Sequence, residues 1–156
     1  MNRLFWRALL AFLALPGVVA FAVPLALLAP RDVPFDLRAL ALVVPGLILL
    51  FWCVRSFYIN GRGTLAPWAP PEALVITGPY RFSRNPMYIA VALLLCGWAA
   101  GWWSRGLAVY AIGVMAAFHL RVVLGEEPWL AKRHGEAWRR YAADVPRWLG
   151  RRHRSP

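Results

Sequence analysis

Acidic residues are scarce in this chain: seven aspartates and glutamates stand against 18 lysines and arginines in 156 residues, for a formal charge of +11. Cysteine is scarcer still. Cys53 and Cys96 lie inside apolar runs, which argues against a disulfide framework or paired thiolate ligands and makes both small buried hydrophobes. The three histidines lack metal-ligand spacing, so no metal is expected. A phosphate-cradling glycine loop, a Ser-His-Asp arrangement, internal repeats and low-complexity tracts are all missing. No secretory signal is evident either, because the first apolar run is too long for a signal core and no small-residue cleavage site follows it.

Apolar side chains are what the chain has in quantity. It is 60% hydrophobic with nine tryptophans and a mean hydropathy of +0.51, more than a soluble domain of this size can bury. Four apolar stretches, Ala8–Ala29, Ala39–Ile59, Pro86–Trp103 and Gly106–Leu124, each approach the ~20 residues a helix needs to cross hydrocarbon. With the N-terminus in the cytoplasm, 15 of the 18 lysines and arginines fall on the inner side and only Arg31, Arg38 and Arg105 on the outer. The positive-inside rule then puts both termini in the cytoplasm. The basic excess is topology plus attraction to anionic headgroups, so the bilayer is the partner and nucleic acid is not. No obligate protein partner is evident.

The expected fold is an all-α integral membrane bundle of about four transmembrane helices in a single domain, 1–156. Its parts are two spans within 1–59, an ordered interfacial loop at 60–85, a helical hairpin at 86–124, an amphipathic C-terminal segment at 125–148 and a basic tail at 149–156. Pro16 and Pro24 in the first span, and Pro45 in the second, predict kinks whose freed carbonyls neighbouring helices re-satisfy. The loop mixes turn formers with Leu65, Trp68, Leu74 and Tyr80, unlike a flexible linker. Trp98, Trp102 and Trp103 at the hairpin tip suit the outer interface. Beyond Gly125, Trp129, Leu130, Trp138 and Tyr141 alternate with Lys132, Arg133, Glu136, Arg139 and Arg140 at helical spacing, with Pro128 in the first turn.

Two runs carry chemistry. Glu126 and Glu127 are adjacent carboxylates at the exit of the last span, where repulsion and desolvation call for a cation. Arg81, Arg84, Arg121 and Arg139 are the candidates, and an acidic first helical turn is the plain alternative. Asn85-Pro86 opens the third span as cap and first helical residue, and such a capped N-terminus offers free amides to an anion. His119 is an ionisable group inside the fourth span, open to a functional role or to a hydrogen bond with a neighbouring helix.

At these residues the chain resembles the isoprenylcysteine carboxyl methyltransferase family, related to the phospholipid methyltransferases. The resemblance rests on Gly78-Pro79-Tyr80-Arg81, Arg84-Asn85-Pro86-Met87-Tyr88, Glu126-Glu127 and a tail of His134-Gly135, Trp138, Tyr141, Val145 and Arg147-Trp148. Asn85 stands where founding members have histidine, which keeps the cap and rules out an imidazole base there. His134 and Trp138 replace phenylalanine and tyrosine, changes that bear on packing. The resemblance implies S-adenosylmethionine as cofactor and a lipophilic or small methyl acceptor. It implies that Tyr80, Asn85, Pro86 and Tyr88 line the cofactor pocket and that Glu126 and Glu127 hold its amine, ribose or positive charge. Arg84 or Arg139 would serve catalysis by facing the cofactor carboxylate or an anionic acceptor. A nicotinamide-dependent membrane reductase and a non-catalytic membrane protein are the competing functions.

Overall fold

A computed structural model describes residues 13–28, 32–60 and 74–150, all of whose regular structure is helical. The start of the first span, residues 61–73 of the interfacial loop and residues 151–156 of the basic tail, all expected above, lie outside the described residues. Helix α1 is wound wide, with i→i+5 geometry, over Leu13–Ala22 and again over Pro24–Leu28. A 3-10 turn at Leu37–Ala39 leads into α2, Leu40–Asn60. A second such turn, Gly78–Arg81, precedes α3, Pro86–Gly101. Helix α4, Arg105–Arg121, runs through one wide turn, Val122–Glu126, into α5, Glu127–Asp144.

Two helical runs are long and apolar enough to cross a membrane, Leu37–Ser56 and the continuous Arg105–Asp144, whose most apolar 18-residue stretches have mean hydropathies of 2.3 and 2.0. The apolar part of the second ends at Leu124, before the glutamates. Pro16–Ala26 and Pro86–Gly101 are shorter apolar helices. Four apolar helical segments thus stand where four were expected, two of them of full crossing length. The outward faces fit a lipid solvent: Ile48 and Phe51 on α2 and Val109 and Ile112 on α4 are all more than 60% exposed. Cys96 also faces outward, contrary to the expectation that both cysteines are buried; Cys53 is buried. In lipid an exposed thiol side chain carries no hydrophobic penalty.

Helices α2 and α3 form the core, with Leu50, Leu94, Leu95 and Val91 sealed between them and α4. Small residues set their spacing. A methyl group on Gly97 would lie 2.5 Å from Val43 Cγ2, and one on Gly101 would lie 2.0 Å from Phe35 Cε2. Lipid supplies no hydrophobic drive between helices, so such close backbone approach is what favours their association. Phe35 wedges edge-on against Trp98 and Trp102, with centroids at 6.0 and 4.9 Å. Those two tryptophans are half-buried, and Trp103 at the hairpin tip is exposed.

The hairpin turn is tight for a stated reason. Trp103 adopts φ 50°, its amide bonds to Ala100 O at 3.2 Å, and that of Ser104 bonds to Ala99 O at 3.0 Å, closing the α3 carbonyls. Ser104 Oγ then caps α4 by accepting from the Leu107 amide at 3.3 Å.

The carbonyls that Pro24 frees are re-satisfied as expected; those that Pro16 would free lie outside the described residues. Pro24 has no N–H to give to the carbonyl four residues back, Ala20, or five back, Val19. Trp98 Nε1 donates to Ala20 O at 2.8 Å, and the Tyr110 hydroxyl donates to Val19 O at 3.1 Å. Trp98→Phe keeps the ring and removes the donor. It is expected to cost about 1–3 kcal/mol, the penalty of an unsatisfied buried carbonyl, while Trp103→Phe costs almost nothing. Thermal unfolding in detergent compares the two.

Candidate functional site

The site is assembled where the start of α3, the end of α4 and the segment after α5 meet. The approach to α3 is shaped by Gly78, whose φ of +60° suits glycine and whose hydrogen faces Ser56 and Trp52 on α2. The turn it begins buries Tyr80 against Cys53 and Val75. The Tyr80 carbonyl accepts the Tyr141 hydroxyl at 2.8 Å. Burial pushes the Tyr80 phenol well above its ordinary range, so it stays neutral. Tyr80 therefore fastens the turn to α2 and α5.

Asn85 holds the cap position, yet its side chain does not cap α3. Its Nδ2 donates instead to the Arg147 carbonyl at 2.9 Å, and Ser83 Oγ donates to the same oxygen at 3.2 Å. The Arg84 amide donates to Pro146 O at 2.9 Å. Three groups before α3 thus pin the segment that follows α5. Pro86 is buried as the first residue of α3.

The two glutamates face this entry. One turn into α3, the Tyr88 hydroxyl donates to Glu126 Oε1, which also accepts from Arg121 Nε at 2.7 Å. The Tyr88 ring lies 4.3 Å from that of Phe118 and 6.4 Å from that of Trp148. Glu127 points to the other side. Arg147 grips it with both prongs, at 2.9 and 2.8 Å, and Arg84 Nη1 reaches it at 3.0 Å. The Glu127 and Arg84 side chains are only 15% and 12% exposed, whereas Arg147 is 36% exposed. Burial alone would raise the Glu127 carboxyl, but the Arg147 hydrogen bonds and the Arg84 and Arg147 charges outweigh it and hold the group below the ordinary carboxylate range. Burial lowers the Arg84 guanidinium, with Glu127 opposing, but arginine keeps its charge.

Of the four cations considered for the acids, Arg84 and Arg121 engage them, and Arg81 is exposed. Arg139 is 72% exposed and pairs with Glu136 at 2.9 Å, so the catalytic role expected of it has no support in its position. The cation missed was Arg147, whose signal was its place in the tail that follows Val145. Trp138 also does more than pack: the Arg84 guanidinium lies 5.6 Å over its ring. His119 ties α4 to the segment after α5, its Nδ1 accepting from Trp148 Nε1 at 3.3 Å.

Comparison with known families now decides the wider question. A family model described as phospholipid methyltransferase matches residues 36–137. The chain belongs to the phospholipid methyltransferase family. That family takes in the isoprenylcysteine carboxyl methyltransferase-like enzymes which the motifs resemble, and it is a family of membrane-associated methyltransferases. No curated protein and no solved structure matches the chain. The stretch matched to the phospholipid methyltransferase family contains Arg84, Tyr88, Glu126 and Glu127 but ends before Trp138, Tyr141 and Arg147.

Proposed function

We propose that this chain transfers a methyl group from S-adenosylmethionine to a lipophilic or small acceptor at the cytoplasmic face of a membrane. The observation that carries the reading is Glu127 held between Arg84 and Arg147, beside Tyr88–Glu126, where α3 begins and the last span ends. An ion cluster this polar at the end of apolar helices is costly to build and points to a ligand with charges of both signs. The donor set fits the cofactor. Arg84 Nε is buried with no hydrogen-bond partner among the described residues, a donor suited to a carboxylate. Glu126 and Glu127 suit an ammonium or ribose hydroxyls.

When bound, S-adenosylmethionine supplies a methyl group on a sulfonium, whose departing thioether needs no protonation. The residues of this chain then have alignment and water exclusion as their task, and alignment is where most of the acceleration of such a displacement arises. Arg84, fixed between Glu127 and the Trp138 ring, orients an anionic group. Tyr88, Phe118 and Trp148 present aromatic faces that favour a cationic centre over bulk water. Among the described residues the carboxylates of the cluster, Glu126 and Glu127, are both paired with arginines and poorly suited to take a proton, which favours an acceptor that is already anionic or unprotonated.

The saturation of Glu127 by two arginines also suits a purely structural network, the second reading. Calorimetry of the detergent-purified chain with S-adenosylhomocysteine and with NADPH separates the cases. Binding of the first alone is expected, followed by transfer of labelled methyl into a total lipid extract. Binding of neither favours the structural network, and binding of NADPH alone favours a reductase.

A further inference from the structure

We propose that Trp129, Lys132 and Arg133 on α5 form a binding site for the headgroup of an anionic phospholipid, distinct from the Glu127 cluster. The outward surface of the α4–α5 run changes character along its length. Val109, Ile112, Leu120 and Leu124 are 70%, 69%, 57% and 73% exposed. Next comes the exposed Trp129, then the exposed Lys132 and Arg133. Aliphatic, aromatic and basic side chains in that order match the hydrocarbon, the interface and the charged headgroup layer.

The pair is also electrostatically open. Among the described residues no carboxylate pairs with Lys132 or Arg133, because the nearby Glu136 is taken by Arg139 at 2.9 Å and Arg140 at 3.6 Å. The Arg133 guanidinium lies 5.4 Å over the Trp129 ring, which holds the cation beside the aromatic anchor and leaves its N–H edge free for phosphate oxygens. Gly135 then takes φ +51° and ψ −119°, and the helix beyond it buries Trp138 and Tyr141. Leu130 packs against that apolar cluster, while Trp129, Lys132 and Arg133 are left exposed. The inference rests on α4 facing lipid and is independent of the methyl-transfer reading.

Native mass spectrometry tests it on the full chain in detergent, with equimolar dioleoyl phosphatidylglycerol and dioleoyl phosphatidylcholine. Phosphatidylglycerol adducts should dominate, and Lys132→Gln with Arg133→Gln should reduce the preference by about fivefold for each cation removed. Arg105→Gln, at the opposite end of the same helical run, should leave it intact. Equal adducts of the two lipids, a preference that survives the double substitution, or equal loss in Arg105→Gln would overturn the proposal. So would binding of a short polyuridylate by an intact chain that shows no lipid preference, since the surface would then be a nucleic-acid face.

Discussion

Glu127→Gln should both destabilise the chain and abolish tight cofactor binding. The substitution keeps the shape and removes the charge that neutralises Arg84, whose side chain is 12% exposed, and Arg147. Leaving a buried charge uncompensated costs about 3 kcal/mol, at the lower end of the usual range because Arg147 reaches solvent. Affinity for S-adenosylhomocysteine should fall at least tenfold, on the order of 1.4 kcal/mol. A structural network predicts the lower unfolding midpoint with unchanged affinity, so the two measurements together discriminate. The pH profile gives a third. The folded Glu127 carboxyl lies below 4.5, its ordinary value, so the unfolded chain binds more protons just beneath that value. The stability it contributes is complete above pH 4.5 and is lost as the pH falls through the lower folded value. This acid-side loss should be smaller in Glu127→Gln. Arg147→Lys should reproduce part of the affinity loss, because a point charge cannot replace the two-pronged grip.

Gly78→Ala should be the most disruptive single methyl addition near the site. Gly78 has φ +60°, which costs an L residue about 1–2 kcal/mol. Its new Cβ would also stand 2.7 Å from Ser56 Oγ and 3.1 Å from Trp52 Nε1. Overpacking of that kind adds about 1–3 kcal/mol. The turn carries Tyr80, so the tie from Tyr141 should loosen with it. Ser56→Ala in the same chain removes the closest atom and leaves Ser56 Cβ at 3.7 Å, ordinary contact. The double variant should recover most of the packing loss, the 3.1 Å approach to Trp52 Nε1 remaining, and retain the backbone cost. Full recovery of the unfolding midpoint would show that φ at this position is unstrained.

The meeting of Glu126 and Glu127 with the Asn85-Pro86 entry was legible from the sequence. Consecutive apolar stretches joined by a two- or three-residue turn must run antiparallel, so the residue before one and the residue after the other end on the same side. The Pro24 carbonyls were legible in kind for a similar reason, since lipid tolerates no orphaned backbone group. Their partners were not, because nothing local to 19–24 indicates Trp98 or Tyr110. Which cation would meet the acids was not legible: the helical alternation beyond Gly125 already sets Arg139 on the polar face opposite Trp138, and its role came only from the resemblance. The structure keeps that alternation across the non-helical Gly135, with Trp138 buried and Arg139 paired with Glu136 at the surface.

Taken alone, the order of residues determined the helical class, the apolar spans and the side of the bundle on which the acids lie. Those properties follow from composition, span length and charge distribution, each readable over a window of about 20 residues. Only the tertiary structure decided which cation holds Glu127 and what Asn85 does with its amide. Both depend on the return of the chain after α5, where Asn85 reaches a carbonyl 62 residues away. The physical reason is range: hydrophobicity acts through the solvent and is written locally, whereas a hydrogen bond at 2.9 Å is fixed by whichever distant backbone arrives there.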